Sequence, residues 1–306
     1  MRVHIVILAG GLLLDLVFAD PASLPHPVKF IGKSIAWGEK QWYKKGRKGG
    51  IYLITFTLLL TGGSVFLIIF LLDKINPMVG FFARVIFFYL GISFKGLLKE
   101  SEKIEKHLSK NEIDKAQNSI RSLVSRDTKR MDKEDLIRGT VESLAENTSD
   151  GVIAPLLFFL LGGVVGMWIY KAINTLDSMV GYQNKKYSEF GRYPARLDDV
   201  ANFIPARITG LLISLSFFNP SRILSAFSTM WRYAKNHPSV NAGYPEAAIA
   251  GGLGIRLGGI NFYRGRKEFR PYLGNSRRTL TPEVIREARI RCSLAVMLLL
   301  FLLTIL

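Results

Sequence analysis

The residues of this chain that could do chemistry gather at the ends of apolar blocks, where idle charge is costly. The first group is Glu142-Ser143-Leu144-Ala145-Glu146-Asn147-Thr148-Ser149-Asp150-Gly151. On a helix, Arg138, Glu142 and Glu146 share one face. Two like charges spaced this way repel by about 0.2–0.5 kcal/mol, a cost that a divalent cation or a cationic ligand removes. Hard carboxylate oxygens suit Mg²⁺, which keeps waters and bridges to phosphates. The alternative is a solvated helix end with Arg138 pairing Glu142. Against it, the acids run straight into an apolar segment at Val152.

A second group places Lys171, Asn174 and Asp177 on roughly one helical face, where an apolar segment ends. Lysine is a point-charge partner for phosphate, and Asp177 suits a metal ligand or a general base. The plain alternative is a snorkelling lysine with an interface cap. The third group is Arg196-Leu197-Asp198-Asp199-Val200-Ala201-Asn202, followed five residues on by Arg207. Paired aspartates between arginines fit a metal–phosphate site, or acids that complement a helix dipole. Arg207 lies deeper in the apolar block than a boundary needs and calls for a buried partner.

The fourth group is His237-Pro238-Ser239-Val240-Asn241-Ala242-Gly243-Tyr244-Pro245-Glu246. Its prolines and glycine make a rigid loop that would hold Asn241 and Glu246. A lone histidine such as His237 is more often structural than catalytic. Near the N-terminus, Asp15 interrupts an apolar stretch, and Asp20-Pro21 and Pro25-His26-Pro27-Val28 follow. An intramembrane acid is a functional hypothesis by default. There is no Walker-type loop, His-Glu-x-x-His or nucleophile elbow. Gly251-Gly252-Leu253-Gly254 lies in an Ala-rich apolar stretch and predicts close helix packing, not a phosphate cradle.

The elements that must position these groups are membrane segments. Hydrophobic residues make up 49% of the 306, and they are segregated into long blocks. Ile51 to Leu72 carries no charge and can cross a hydrocarbon core of about 30 Å. Asp73-Lys74-Ile75-Asn76-Pro77 is a short turn before Met78 to Phe94, so the pair predicts a helical hairpin. Val152–Tyr170, Phe203–Phe218, Ile290–Leu306 and the N-terminal block bring the total to five or six segments. The N-terminal block has little basic n-region and no small-residue cleavage site, and reads as a retained membrane segment. The expected fold is therefore all-α, a multi-pass helical membrane protein forming a single domain over 1–306. Residues 95–151 form a helical cytoplasmic insertion, in which Ser109 and Glu112 have capping-box spacing and Asp132 can cap a second helix. Residues 219–289 form a basic cytoplasmic loop region.

The formal net charge of +17 excludes little by itself. No folded basic module with base-reading groups is visible, so nucleic acid is not an expected partner. The basic residues flank apolar blocks, as cytoplasmic loops do under the positive-inside rule. Four loops are basic, and a single full crossing at 152–170 cannot leave both of its flanks on one side. Either one basic loop lies outside, or this segment, which bears Gly162, Gly163 and Gly166, is re-entrant; re-entry is the reading favoured. The only cysteine, Cys292, rules out a disulfide within the chain and a Cys-based metal site.

Taken together and in order, these stretches resemble the adenosylcobinamide-phosphate synthase family, the membrane protein of cobalamin biosynthesis. The strings that carry the resemblance are Asp15 to Pro21 with His26-Pro27-Val28, Glu142 to Pro155, Tyr170 to Tyr182, Arg196 to Arg207, His237 to Glu246, and Arg270-Pro271-Tyr272-Leu273-Gly274. Each is weak alone; six in register are specific. Ala19, Arg192-Tyr193-Pro194 and Val240 depart from the usual pattern without removing a chemical group.

The resemblance implies ATP-dependent amide ligation of adenosylcobyric acid with 1-aminopropan-2-yl phosphate, or ethanolamine phosphate, with Mg²⁺ assisting. It also implies an inner-membrane location with the site facing the cytoplasm. Glu142, Glu146, Asp150, Asp177, Asp198 and Asp199 would then serve as metal ligands or base. Lys171, Arg196 and Arg207 would hold phosphates, and Asn174, Asn202 and Asn241 would orient substrates beside Asp15, His237 and Glu246. The partners expected are the two substrates and membrane lipid, with an oligomer left open. A transporter, a non-catalytic membrane sensor and a phosphoalcohol transferase are the rival readings. The first would need polar groups at mid-membrane in paired repeats, the second would not need the full set of acids, and the third would need repeated aspartate motifs.

Overall fold

The computed structural model describes residues 2–18, 26–182, 184–263 and 265–305. Asp20, Pro21 and Pro25 of the N-terminal motif lie outside the described residues. In chain order the elements are α1 (Arg2–Phe18), α2 (Pro27–Trp42), α3 (Gly46–Ile75), α4 (Pro77–Gly91), α5 (Phe94–Ser109), α6 (Ile113–Ile120) and α7 (Lys133–Thr148). Then come α8 (Ala154–Val180), α9 (Arg192–Leu215), α10 (Pro220–Tyr233), α11 (Gly243–Leu253), β1 (Leu257–Tyr263), β2 (Arg266–Leu273) and α12 (Pro282–Ile305). Every expected membrane segment falls on a helix, and the fold is all-α and multi-pass apart from one antiparallel hairpin, β1–β2. The basic region 219–289 is not a loop: it holds α10, α11 and that hairpin.

Three helical stretches are long and apolar enough to cross a membrane, within Pro27–Ile75, Pro77–Ser109 and Lys133–Val180. The chain divides into two compact units, Met1–Ser93 with Ala154–Asn202, and Phe94–Ile153 with Phe203–Leu306. In the first unit, large apolar side chains face outwards. Leu59, Phe66, Leu67 and Leu71 on α3 and Met78, Phe82 and Ile86 on α4 are exposed. A water-soluble domain rarely leaves so continuous an apolar surface bare, whereas lipid covers it at no cost.

The α3–α4 hairpin forms as its turn predicts. Asn76 caps α4 by accepting from the backbone N–H of Met78 at 2.8 Å, and Pro77 takes the first helical position. Arg84, the one charge in the second arm, pairs with Asp73 through both nitrogens, at 2.8 and 2.5 Å. That fork satisfies an ion pair beside apolar surface.

The segment from Ala154 to Val180 turns back on itself. Gly162 and Gly163 leave helical geometry, and Gly163 has φ +60° and ψ −154°. The rings of Phe158 and Tyr170 lie 4.9 Å apart, although an unbroken helix would separate twelve residues by about 18 Å. A Cβ on Gly166 would stand 2.6 Å from the Phe158 carbonyl oxygen. The arms on either side of the turn, Ala154–Leu161 and Val164–Val180, are about 12 and 25 Å long. This is the chain reversal that re-entry requires. Gly163→Ala is expected to lower the melting temperature of the detergent-purified protein, since only glycine settles at that φ/ψ without a cost of about 1–3 kcal/mol. Gly162→Ala, at φ −133° with open space around it, should melt like the parent.

In the second unit, Asp132 caps α7 as expected, accepting from the N–H of Asp135 at 2.8 Å. The capping box at Ser109–Glu112 does not form. Ser109 donates to the Glu105 carbonyl, and Glu112 is drawn to His107 and Lys115 instead. Gly251 and Gly252 pack as read from the sequence: a Cβ on either would run into the Thr229 or Phe217 side chain. Cys292 is buried in α12.

Candidate functional site

The second unit builds a buried polar centre from α7, the loop before it, the loop before α11 and the β1–β2 hairpin. The loop at 121–131 is fastened to the hairpin. The N–H of Asp127 donates to the Phe262 carbonyl at 2.8 Å, and the Gly265 N–H donates to the Asp127 carboxylate at 2.6 Å. Docking the loop carries Arg126 inwards, where its guanidinium forms an ion pair with Glu142 and donates to Asn261 Oδ1 at 2.9 Å. The Arg126 and Glu142 side chains are only 6% and 2% exposed. The other Glu142 oxygen accepts the Gly258 N–H at 2.8 Å.

The Arg138–Glu142 pairing is therefore not what forms on α7. Arg138 donates instead to the carbonyls of Gly258 and Ile260 and to Asp135. Glycine makes this turn of the hairpin possible: Gly258 and Gly259 have φ of +80° and +99°, next to an irregularity in the strand register. A Cβ on Gly259 would press on the Arg138 guanidinium.

Glu246, in the first turn of α11, and His237, in the loop before it, complete the centre. Their Nε2 and Oε1 atoms face each other at 3.7 Å, with the side chains 5% and 2% exposed, and neither atom has a hydrogen-bond partner. The N–H of Ser239 donates to His237 Nδ1 at 3.0 Å. Nδ1 also lies 3.3 Å from the Ser239 carbonyl; the shorter contact makes Nδ1 the acceptor, the tautomer that places the ring proton on Nε2, towards Glu246. Burial, followed by the charge of Arg270, pushes the His237 pKa down to about 4. Burial, reinforced by the carboxylates of Glu142 and Glu146, raises that of Glu246 well above the usual range, against the pull of Arg270 and Arg126. The geometry holds a neutral imidazole N–H and a readily protonated carboxyl across a gap that a polar group of a ligand would bridge.

This arrangement has a pH signature. Between about pH 6.5 and pH 4 the unfolded chain protonates His237 while the folded chain does not. His237 therefore contributes up to about 3 kcal/mol of stability that is lost as pH drops through that window, while Glu246, whose folded carboxyl keeps its proton, contributes a slope of the opposite sign. His237→Gln should flatten this limb of a melting-temperature-versus-pH curve; an unchanged limb would mean another group is responsible.

The sequence-predicted residues fall into two sets. Glu142, Glu146, His237 and Glu246 are brought together in the second unit, with Glu146 acting on Glu246 through its charge. Arg207 has the partners that its depth called for. It donates to Asn241 Oδ1 at 3.2 Å, and its guanidinium lies 3.4 Å from the Phe203 ring centre and 4.1 Å from that of Tyr244. Asp150 follows in a π-helical turn, Ser149–Ile153, a form enriched at functional sites. In the first unit, Asn202 is buried and accepts from the Tyr170 hydroxyl at 2.8 Å, and its Nδ2 has no partner. Lys171, Asn174 and Asp177 stand half-buried on α8; Asp198 and Asp199 stand half-buried on α9 beside the exposed Arg196. Asp15 is buried in α1.

Among the described residues, no three His, Cys, Asp or Glu side chains converge as a metal site. Both Glu142 oxygens are already engaged by Arg126 and Gly258. The donors fit Mg²⁺ only in the mode where one or two carboxylates hold it and phosphate and water supply the rest. Glu146 and Asp150 stand four residues apart where α7 passes into the π-helical turn of the second unit.

Arg126, Asn261 and Arg270 were not read from the sequence as site residues, although Arg270 stands in one of the strings of the resemblance. Two further concavities lie in the second unit. One, of about 60 Å³, is lined by Arg232, Arg277 and several hydroxyls. The other, of about 400 Å³, opens against the hairpin and Arg138.

The comparisons with known proteins agree on one family. A family model described as CobD/Cbib protein matches residues 8–291. The "Cobalamin biosynthesis protein CobD" of Clostridium perfringens is 42% identical over 275 residues, covering 88% of this chain and 87% of that protein. The protein of the same name from Geobacter metallireducens is 42% identical, covering 87% of this chain and 85% of that protein. That from Brucella anthropi is 39% identical, covering 90% and 88%. No solved structure matches.

Proposed function

The chain belongs to the CobD/Cbib family of cobalamin biosynthesis proteins, and from that premise we propose that it joins a propionate carboxylate of adenosylcobyric acid to the amine of (R)-1-aminopropan-2-yl phosphate, or of ethanolamine phosphate, with ATP as co-substrate. The product is adenosylcobinamide phosphate. A carboxylate and an ammonium ion in water do not condense, so the carboxylate must be activated. Its oxygen attacks the γ-phosphorus of ATP and ADP leaves. The amine nitrogen then attacks the acyl carbon, phosphate leaves, and the nitrogen gives up a proton.

One observation supports this reading most: the buried, unpartnered His237 Nε2 and Glu246 Oε1, 3.7 Å apart. A carboxylate with a raised pKa is a base strong enough to relieve an ammonium group of its proton. The neutral imidazole donates its Nε2 proton as a hydrogen bond to the oxygen that gains charge when the amine adds. Arg126 and Glu142 hold the hairpin wall and α7 in register around the pair. Mg²⁺, held by Glu146 and Asp150 together with phosphate oxygens, would neutralise charge on the transferring phosphoryl group. Since ATP and corrinoid intermediates are cytoplasmic, the site faces that side of the inner membrane.

The direct test is to incubate the purified protein with adenosylcobyric acid, aminopropanol phosphate, ATP and Mg²⁺ and to measure the product by mass. The expected result is adenosylcobinamide phosphate, with ADP and phosphate in equal amounts. No product, alongside active partner controls, would remove the ligase reading. Glu146→Gln, and separately Asp198→Asn for the α8–α9 set, should each lower turnover about 100-fold with unchanged membrane insertion. Parental rates in either variant would withdraw that residue.

A further inference from the structure

We infer that the 400 Å³ cleft against the β1–β2 hairpin is the subsite for the adenine nucleotide. This rests on the ligase reading and says where in the chain the co-substrate sits. The volume lies in the lower part of the range for small-molecule sites, which suits a nucleotide and not a corrin macrocycle. Its walls are chemically uneven in the way that a nucleotide requires. Arg256 and Lys267 line it, and among the described residues neither pairs with a carboxylate. Phosphate oxygens are the natural complement of two such cations.

The Arg256 guanidinium already lies 4.1 Å from the centre of the Tyr272 ring. This cation–π contact holds the guanidinium in the wall of the cleft, where a phosphate can meet it. The two acids in the lining differ: Asp135 is tied to Arg138 at 2.7 Å, whereas Glu134 is exposed and in no ion pair among the described residues.

The cleft is also wired to the buried centre. Gly258 and Gly259 form part of its floor, where a Cβ on either would run into the protein itself, at the Pro271 carbonyl or the Arg138 guanidinium. Gly258 donates its N–H to Glu142, and its carbonyl accepts from Arg138. A nucleotide pressing on this floor therefore pushes on the same peptide that fixes Glu142. The chain thereby places phosphoryl groups next to the carboxyl chemistry without exposing His237 and Glu246.

Equilibrium binding of a fluorescent methylanthraniloyl ATP analogue to the full chain in lipid nanodiscs tests this. Arg256→Ala and Lys267→Ala should each weaken binding about tenfold, as expected for loss of one charge-assisted contact. Tyr272→Ala should weaken it severalfold, and Tyr272→Phe should restore it. Adenosine should compete poorly and inorganic triphosphate partly, with ATP best. If the parent binds no nucleotide, the ligase reading fails together with this one. If the parent binds and all the variants bind equally well, only the subsite is overturned. If the variants lose adenosylcobyric acid and keep ATP, the cleft holds the corrinoid's adenosyl group instead, and the assignment is again overturned. Elution of each variant as a single symmetrical peak separates a lost contact from a lost fold.

Discussion

Arg126→Ala is expected to cost about 3–5 kcal/mol and to lower the melting temperature by roughly 10 °C or more. The size follows from what is left behind. Glu142 is 2% exposed, and without the guanidinium it keeps only the Gly258 N–H as a partner. Asn261 Oδ1 loses its 2.9 Å donor in the same step. Removing both charges is expected to be gentler. In Arg126→Met/Glu142→Leu that buried ion pair is gone, and the remaining deficit is the unpaired Gly258 N–H, about 1–3 kcal/mol, with Asn261 Oδ1 left to the longer contact from Arg138. A double-mutant cycle should therefore show strong coupling. Simple additivity of the two single variants would mean that the pair is not a unit.

The second large effect is at Glu246. Glu246→Gln should cut turnover by about 10²–10⁴-fold and at the same time make the protein more stable at neutral pH. The sign follows from proton counts. The folded carboxyl keeps its proton to a pH well above the usual carboxylate range, whereas the unfolded one releases it near 4.3. Stability is therefore lost as pH rises between those two values. An amide cannot ionise, so the glutamine variant escapes this loss. In the parent, kcat/KM should climb with pH as Glu246 gives up its proton, and that limb should vanish in the variant. A variant both slower and less stable would instead make Glu246 a packing residue.

The parts of the fold written locally were legible. The α3–α4 hairpin shows in a charge-free run followed by Asn76-Pro77, and the Asp132 cap sits directly before its helix. The reversal in α8 announced itself through Gly162 and Gly163, and through basic flanks on both sides. What could not be read depends on partners far apart in sequence. The hairpin was missed because two short strands gain stability only from each other and from what they cover. Arg126 gave no signal: it lies in an irregular loop, and its place is set by Asn261, 135 residues onward. The expected Arg138–Glu142 alternative failed for the same reason, since hairpin carbonyls captured the arginine first. Glu246 and His237 were picked out by a rigid loop pattern, but their facing geometry is tertiary. Beyond its first turn, which carries Glu246, α11 is apolar on every side, so no periodicity marked it as a wall of the site.

The second unit is built from two separated pieces of chain, Phe94–Ile153 and Phe203–Leu306, and this sets an order of events during synthesis. Glu142 leaves the ribosome 116 residues before Gly258, whose N–H it accepts. At about 5–20 residues per second the carboxylate waits roughly 6–23 s for that donor. Throughout this interval the early piece carries a carboxylate with half of its eventual shell. A nascent chain stalled or cut before Leu257 should therefore be a ready substrate for quality-control proteases, while the chain completed through α12, which packs on α7 and α5, should resist them.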